Sequence, residues 1–319
     1  MKFVLLLLLF FLVSCGPAPL PPLPQPTREY EQTQIYYPFF SYDPCHIRRQ
    51  KGGLAYSYPA GQLAAIVDDL CLNQAGVIRT WSVTIRPSWA LGMNYIPALW
   101  GPGQLVAFRL NIPRDYNGVI LVGNECDQPD QCNTTPAELA TLYADAQSWC
   151  ANCTFTTPGL ASDETDGQWL RSWLLAFLAQ GGEIDRIVGI DSHHYIAREH
   201  AIAAYTIWGN GSCGDDRCLI MWELNRRLNT LRAVLPGLPL VVSEIGGCSD
   251  WPYVQEWMDA QLDFLETRDD VEWYAVFIDN EYHPEWQPCA FPIYTGGALN
   301  EYGQGIRGGV QVAGNEAYP

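Results

Sequence analysis

A run of four apolar residues, Val119–Val122, constrains the fold of this chain more than any other stretch. Consecutive aliphatic residues that stop at a glycine predict a strand buried on both faces of a parallel sheet. Asn124 and Glu125 follow at its carboxyl end, where (β/α)8 barrels carry their catalytic groups. A second strand of the same kind, Leu240–Gly246, contains Glu244.

Glu125 and Glu244 are therefore the candidate catalytic residues. Most glutamates are solvated surface groups, but a carboxylate at the end of an apolar strand is costly to bury without partners. Two carboxylates at one barrel mouth are the arrangement that flanks the scissile bond in glycoside hydrolases.

The alternation of strands and helices along the chain predicts a parallel sheet and one domain of the α/β class. We expect a single (β/α)8 TIM barrel with disulfide-braced loops. Its eight predicted strands are 51–56, 77–82, 94–101, 119–122, 154–159, 187–195, 240–246 and 273–278. One helix around 222–235 is expected between the sixth and seventh strands.

The amino terminus predicts export. Lys2 precedes an apolar run that is too short to span a membrane, so 1–14 is typical of a signal peptide. The run ends at Cys15 in a sequence that resembles a bacterial lipobox, in which this cysteine is lipidated; a secreted protein with a stray cysteine is the alternative.

The segment after Cys15 is rich in proline and predicts a semi-rigid spacer, so 15–50 is the anchor, spacer and lead-in. The catalytic domain is then 51–319. We expect a protein that is lipid-anchored to the cell envelope or cell surface, faces outside the cytoplasm and contacts the membrane only through this anchor.

The charge of the chain bounds its partners. It has 35 acidic and 18 basic residues, a net charge of −17. Nucleic acids and anionic polysaccharides need a positive surface, so a neutral polysaccharide or oligosaccharide is the expected ligand. We expect a monomer that uses no cofactor and no metal ion.

Eleven cysteines in an exported chain predict a disulfide framework of up to five bonds once Cys15 is set aside. Proximity along the chain suggests the pairs Cys126–Cys132, Cys150–Cys153, Cys213–Cys218, Cys45–Cys71 and Cys248–Cys289. The pair Cys150 and Cys153 could instead be half of a zinc site, but no second pair at metal spacing accompanies it.

Two tryptophans, Trp81 and Trp100, lie at the ends of neighbouring predicted strands. An aromatic ring covers the apolar face of a pyranose, so both are candidate sugar platforms. Tryptophan is also a common core residue, and that alternative stays open.

The sequence resembles glycoside hydrolase family 128, a group of β-1,3-glucanases of the glycosyl hydrolase catalytic core within the retaining clan A. The matching segments follow one another over 51–308. They are Gly53-Leu54-Ala55-Tyr56, Pro97-Ala98-Leu99-Trp100-Gly101, Asn124-Glu125, His193-His194-Tyr195, Ser243-Glu244-Ile245-Gly246 and Tyr274-Ala275-Val276-Phe277. Cys126, His194 and Val276 stand where the family has Pro, Trp and Trp.

The resemblance implies a retaining endo-glycosidase that hydrolyses a neutral β-glycan, with β-1,3-glucan as the first expectation. Glu125 would be the acid/base and Glu244 the nucleophile, with their carboxyl groups about 5–5.5 Å apart. The alternative is a catalytically silent surface lipoprotein that binds a glycan or another partner on the same barrel.

The resemblance also implies a set of substrate-binding residues around the two glutamates. Asn124 would bind the sugar 2-hydroxyl, and Tyr195 or His193 would orient Glu244. His193 could instead be a core histidine satisfied by the backbone. Tyr56 and Phe277, which end two of the matching segments, complete the expected binding set.

Overall fold

One parallel sheet of nine strands forms the centre of the chain in its computed structural model. The strands are β1 Gly52–Tyr56, β2 Val77–Arg79, β3 Asn94–Ile96, β4 Ala98–Leu99, β5 Val119–Val122, β6 Thr154–Thr156, β7 Ile187–Tyr195, β8 Leu240–Gly246 and β9 Val271–Ile278. Their order in the sheet is β3-β2-β1-β9-β8-β7-β6-β5-β4. A short antiparallel pair, β10 Tyr294–Thr295 and β11 Ala298–Leu299, lies outside this sheet.

The structure describes part of the chain, all of it within the unit Asp43–Pro319. The described residues are 50–56, 66, 69–72, 76–83, 94–161, 166–209, 213–248, 254–278, 294–295, 298–299 and 301–307. The predicted signal peptide, lipidation site and spacer lie outside them, so these assignments and the boundary near residue 50 stay predictions.

The sheet closes into a barrel at Pro97. The two edge strands, β3 and β4, are consecutive in the chain and are separated by this one residue. Proline has no N–H to donate, so the third predicted strand is broken in two instead of running unbroken over 94–101. The carbonyl of Pro97 accepts from Leu121 at 3.0 Å, and the next N–H, of Ala98, donates to Ser82 at 3.0 Å. The eight predicted strands are thus all present, and the (β/α)8 fold is confirmed.

Helices alternate with the strands. They are α1 Leu105–Asn111, α2 Pro136–Trp149, α3 Asp166–Ala179, α4 Arg198–Trp208, α5 Asp216–Arg232, α6 Val254–Thr267 and α7 Glu301–Arg307. The prediction of one helix between β7 and β8 is wrong, because α4 precedes α5 there. Only Ala201 and Ala204 of α4 are buried, so its apolar stripe was too small to be read from the sequence.

Local sequence signals are borne out where the structure describes them. Thr135 caps α2 in a capping box with Glu138. The disulfides Cys126–Cys132, Cys150–Cys153 and Cys213–Cys218 are present, with Cα–Cα distances of 4.3, 5.5 and 5.4 Å. The zinc alternative for the second pair is therefore wrong. Cys71 and Cys248 are also disulfide-bonded; Cys45 and Cys289 lie outside the described residues, so those two pairings stay predictions.

A buried aromatic cluster packs between the barrel and the helices behind β5. Tyr143 of α2 donates its hydroxyl to the carbonyls of Val122 and Thr156, each at 2.9 Å. Trp173 and Phe177 of α3 stack on each other beside the Tyr143 ring. This cluster fixes the carboxyl end of β5, which carries Glu125.

None of the helices in the described part of the chain has the length and apolar composition that a membrane crossing needs.

Candidate active site

The two candidate glutamates meet at the carboxyl ends of their strands. Glu125 lies three residues beyond β5, and Glu244 lies within β8. One oxygen of each carboxylate and one ring nitrogen of His193 all lie within 4.8 Å of one another. These two carboxylate oxygens are therefore closer together than the roughly 6.5–9.5 Å that separates the carboxyl groups of inverting glycosidases.

A strained turn presents Glu125 to the barrel mouth. Its φ is +47°, in the left-handed region that costs a non-glycine residue about 1–3 kcal/mol. The surrounding hydrogen bonds hold this conformation, because the N–H of Glu125 donates to Gly159 at 2.7 Å and its carbonyl accepts from Gln128 at 2.9 Å. The Cys126–Cys132 disulfide closes the loop immediately beyond it.

Glu244 is surrounded by hydrogen-bond donors. Its Oε1 accepts from Arg79 Nη1 at 2.5 Å and from Trp81 Nε1 at 2.9 Å, and its Oε2 accepts from the Tyr195 hydroxyl at 2.6 Å. Burial by itself raises the pKa of Glu244, but the charges of His193 and Arg79 and these hydrogen bonds outweigh it. The pKa of Glu244 is therefore below its usual value, and the group stays ionised, as a nucleophile must.

Arg79 belongs to the site although the sequence did not predict it. It ends β2, is only 2 % exposed, and pairs with Glu244 across the barrel. Its second terminal nitrogen donates to Asn124 Oδ1 at 3.0 Å, so one guanidinium links the neighbour of Glu125 to Glu244. An arginine at the end of an otherwise apolar strand was a usable signal, because a buried charge needs a partner.

Glu125 has the opposite electrostatic environment. Burial raises its pKa, the charges of Glu244 and Asp127 raise it further, and the contact with His193 only partly opposes them. The pKa of Glu125 therefore lies above its usual value, which suits a group that must carry a proton at neutral pH.

His193 contacts Glu125 more closely than Glu244. Its Nδ1 is 2.8 Å from Glu125 Oε1 and 3.6 Å from Glu244 Oε2, and its Nε2 is 3.1 Å from the Ser243 hydroxyl. Burial lowers the pKa of His193, but Glu244 and Glu125 outweigh it and leave the pKa raised. These side-chain contacts argue against a core histidine satisfied by the backbone. Of the two residues expected to orient Glu244, Tyr195 makes the hydrogen bond.

The predicted aromatic residues divide into two groups. Trp81 and Trp100 are half-buried, and the Arg79 guanidinium lies 5.2 Å from the centroid of the Trp81 ring. Phe277 is 7 % exposed and packs edge-on against Trp81 and Tyr195, with ring centroids 5.3 and 5.9 Å apart, so it supports those two rings from behind. The side chain of Tyr56 lies outside the described residues.

The spacing of Glu125, His193 and Glu244 is one that a metal ion would accept. The surroundings favour proton chemistry instead. Both oxygens of Glu244 already accept hydrogen bonds, and the Arg79 guanidinium at 2.5 Å would repel a cation.

Solved structures share this fold. The endo-β-1,3-glucanase of glycoside hydrolase family 128, subgroup II, from Sorangium cellulosum is 21% identical, with a TM-score of 0.60 over 81% of this chain and 97% of its own. The subgroup I endo-β-1,3-glucanase from Amycolatopsis mediterranei, in complex with laminaritriose, is 18% identical, with a TM-score of 0.57 over 81% and 98%. The subgroup III curdlan-specific exo-β-1,3-glucanase from Blastomyces gilchristii, in complex with glucose, is 18% identical, with a TM-score of 0.56 over 81% and 97%.

The sequence itself carries the family assignment. No curated protein matches the chain at a significant level. The family model described as the glycosyl hydrolase catalytic core matches residues 75–304, which is more than half of the 319 residues. The chain therefore belongs to the glycosyl hydrolase catalytic core family and is a glycoside hydrolase.

Proposed function

We propose that the protein is a retaining β-glycosidase that uses Glu244 as nucleophile and Glu125 as acid/base. One observation carries the proposal: two carboxylates with oxygens within 4.8 Å of each other have pKa values shifted in opposite directions. When the pKa values of two neighbouring groups are shifted apart in this way, one group can act as an acid while the other acts as a nucleophile.

The reaction then has two steps. Glu244 attacks the anomeric carbon while Glu125 gives its proton to the departing glycosidic oxygen, which leaves a glycosyl–enzyme ester. Glu125, now ionised, takes a proton from water as the water attacks the same carbon. The ester bond breaks, Glu244 is released as a carboxylate and Glu125 is protonated again.

Linear β-1,3-glucan is the proposed substrate, cleaved internally. The strongly acidic chain suits a neutral polymer, and structural relatives act on or bind β-1,3-linked glucans and laminari-oligosaccharides. Asn124 would bind the 2-hydroxyl of the sugar that Glu244 attacks, while Trp81 and Trp100 would form a wall of the groove.

A substrate panel tests this proposal. The enzyme is incubated with linear β-1,3-glucan, β-1,4-glucan and β-mannan, and early products are separated by size. We expect a mixture of laminari-oligosaccharides from the first substrate and little release from the others. Glucose alone would overturn internal cleavage, and no product from any β-glucan would overturn the substrate.

A bell-shaped pH dependence of kcat/KM is the expected consequence of the two shifted carboxylates. Activity falls as the pH drops through the lowered pKa of Glu244, because the nucleophile becomes protonated. It falls again as the pH rises through the raised pKa of Glu125, because the acid loses its proton. The two limbs therefore lie on either side of the usual glutamate pKa.

The variant Arg79→Met tests whether the acidic limb of the pH profile reports the ionisation of Glu244. Without the guanidinium the pKa of Glu244 rises, so this limb moves to higher pH. Arg79→Lys keeps the charge and is the matched control, for which the limb stays closer to its original position. An acidic limb that is the same in wild type and in folded Arg79→Met would contradict the role of Arg79.

We also propose that the protein is exported and anchored through a lipid on Cys15. The support is the sequence of the signal peptide, the cysteine and the proline-rich spacer. The wild type should partition into the detergent phase and incorporate labelled palmitate, and Cys15→Ser should incorporate none. Aqueous partitioning of the wild type would contradict the anchor.

A further inference from the structure

The amide orientation of Asn124 follows from the donors around it. Arg79 is a donor only, and its Nη2 lies 3.0 Å from one end of the Asn124 amide. That end must be the oxygen, so the nitrogen, Nδ2, points to the other side. There it lies 3.3 Å from the side-chain oxygen of Gln131, which must be the acceptor. Each partner thus fixes one end of the Asn124 side chain.

Among the residues that the structure describes, one N–H of Asn124 Nδ2 has no acceptor. The amide oxygen is engaged by Arg79 and one N–H by Gln131, so the second N–H is available to donate to a ligand at the barrel mouth. Asn124 is 7 % exposed, and a side chain so enclosed has little room to find another rotamer. Gln131 therefore helps to determine where that remaining N–H points.

The loop that carries Gln131 is fastened at both ends. Gln131 directly precedes Cys132, which is bonded to Cys126, and the N–H of Cys132 donates to the Asn124 carbonyl at 3.3 Å. The loop also packs on the end of the sheet, since a Cβ at Gly101 would lie 2.9 Å from Cys132 Sγ. The disulfide thus holds the Gln131 side chain against Asn124.

We propose that Gln131 is a positioning residue. It orients the Asn124 amide so that this amide can donate a hydrogen bond to the 2-hydroxyl of the sugar undergoing attack. The proposal rests on the proposed glycosidase function. A hydrogen bond to that hydroxyl strengthens in the transition state, so its alignment affects kcat more than KM. The residue therefore favours sugars that carry a 2-hydroxyl able to accept a hydrogen bond.

The test compares an aryl β-laminaribioside with its analogue that lacks the 2-hydroxyl on the sugar at the scissile bond. Gln131→Leu removes the acceptor and keeps the side-chain bulk. We expect about a 10-fold loss in kcat on the parent substrate, the size of one neutral hydrogen bond, and less than about a 2-fold loss on the 2-deoxy analogue. Gln131→Glu keeps an acceptor and should recover most of the loss.

Two further variants separate positioning from general damage. Gln128→Leu makes the same substitution elsewhere in the same loop. The side-chain amide of Gln128 donates to Asp127 at 3.5 Å. This variant should keep kcat within about 2-fold of the wild-type value. In an Asn124→Ala background, Gln131→Leu should have no further effect, because coupled residues are not additive.

Equal losses on both substrates, additive losses in the double variant, or no loss at all would each overturn the positioning role. These outcomes are distinct from failure of the proposed function, in which the wild-type enzyme would cleave neither the laminaribioside nor any β-glucan.

Discussion

Replacement of Glu244 by glutamine should reduce glucan hydrolysis by at least about 10⁴-fold in kcat, because the amide cannot form the glycosyl–enzyme ester. The glutamine keeps the shape of the side chain, and its carbonyl oxygen can still accept from Arg79 and Trp81. The variant should therefore fold like the wild type. The measurement is reducing-sugar release from linear β-1,3-glucan, with circular dichroism as a check on folding.

Glu272→Gln is the matched control, because it makes the same substitution at an exposed position of β9. It should retain wild-type activity. Activity of Glu244→Gln within about 10-fold of the wild type would remove Glu244 from the nucleophile role. A wild-type protein that binds β-glucan but releases no sugar would instead support the silent glycan-binding alternative.

Replacement of Glu125 by alanine should have an effect that depends on the leaving group. A natural glucan needs its departing oxygen protonated, so kcat/KM should fall by about 10²–10⁴-fold. An aryl glycoside with an acidic phenol needs little protonation, so its kcat/KM, which reports on the first step, should change far less. The second step still lacks its base, so kcat on the aryl substrate falls and the glycosyl–enzyme accumulates.

The comparison of the two substrates is the informative measurement. A burst of released phenol followed by slow turnover would accompany the accumulated intermediate. Asp130→Asn is the matched control, because it neutralises an exposed acidic residue in the same loop and should lower kcat/KM on neither substrate. Equal losses of kcat/KM on glucan and aryl glycoside in Glu125→Ala would contradict the acid role.

The parts of this fold that the sequence predicts best depend on neighbouring residues. Apolar runs in the sequence predict β5 and β8, which position Glu125 and Glu244. The capping box of Thr135 and Glu138 predicts the start of α2. The three observed disulfides with described partners join cysteines three to six positions apart, which is why proximity alone identified them. Each of these features is set by local conformation.

The features that the sequence did not predict depend on contacts between distant residues. Arg79 and Glu244 are 165 positions apart, so their ion pair follows only from closure of the barrel. The same closure decides that Tyr195 contacts Glu244 while His193 contacts Glu125. The positive φ of Glu125 was equally hidden, since nothing in a glutamate side chain indicates a left-handed backbone.

The retaining mechanism is tested most directly by the configuration of the first product. Proton nuclear magnetic resonance of early linear β-1,3-glucan hydrolysis resolves the anomeric proton of the new reducing end before mutarotation. Two displacements at one carbon, first by Glu244 and then by water, predict that the β-anomer forms first and that the α-anomer grows in later. Initial appearance of the α-anomer would mean a single displacement and would contradict the assignment of Glu244 as nucleophile.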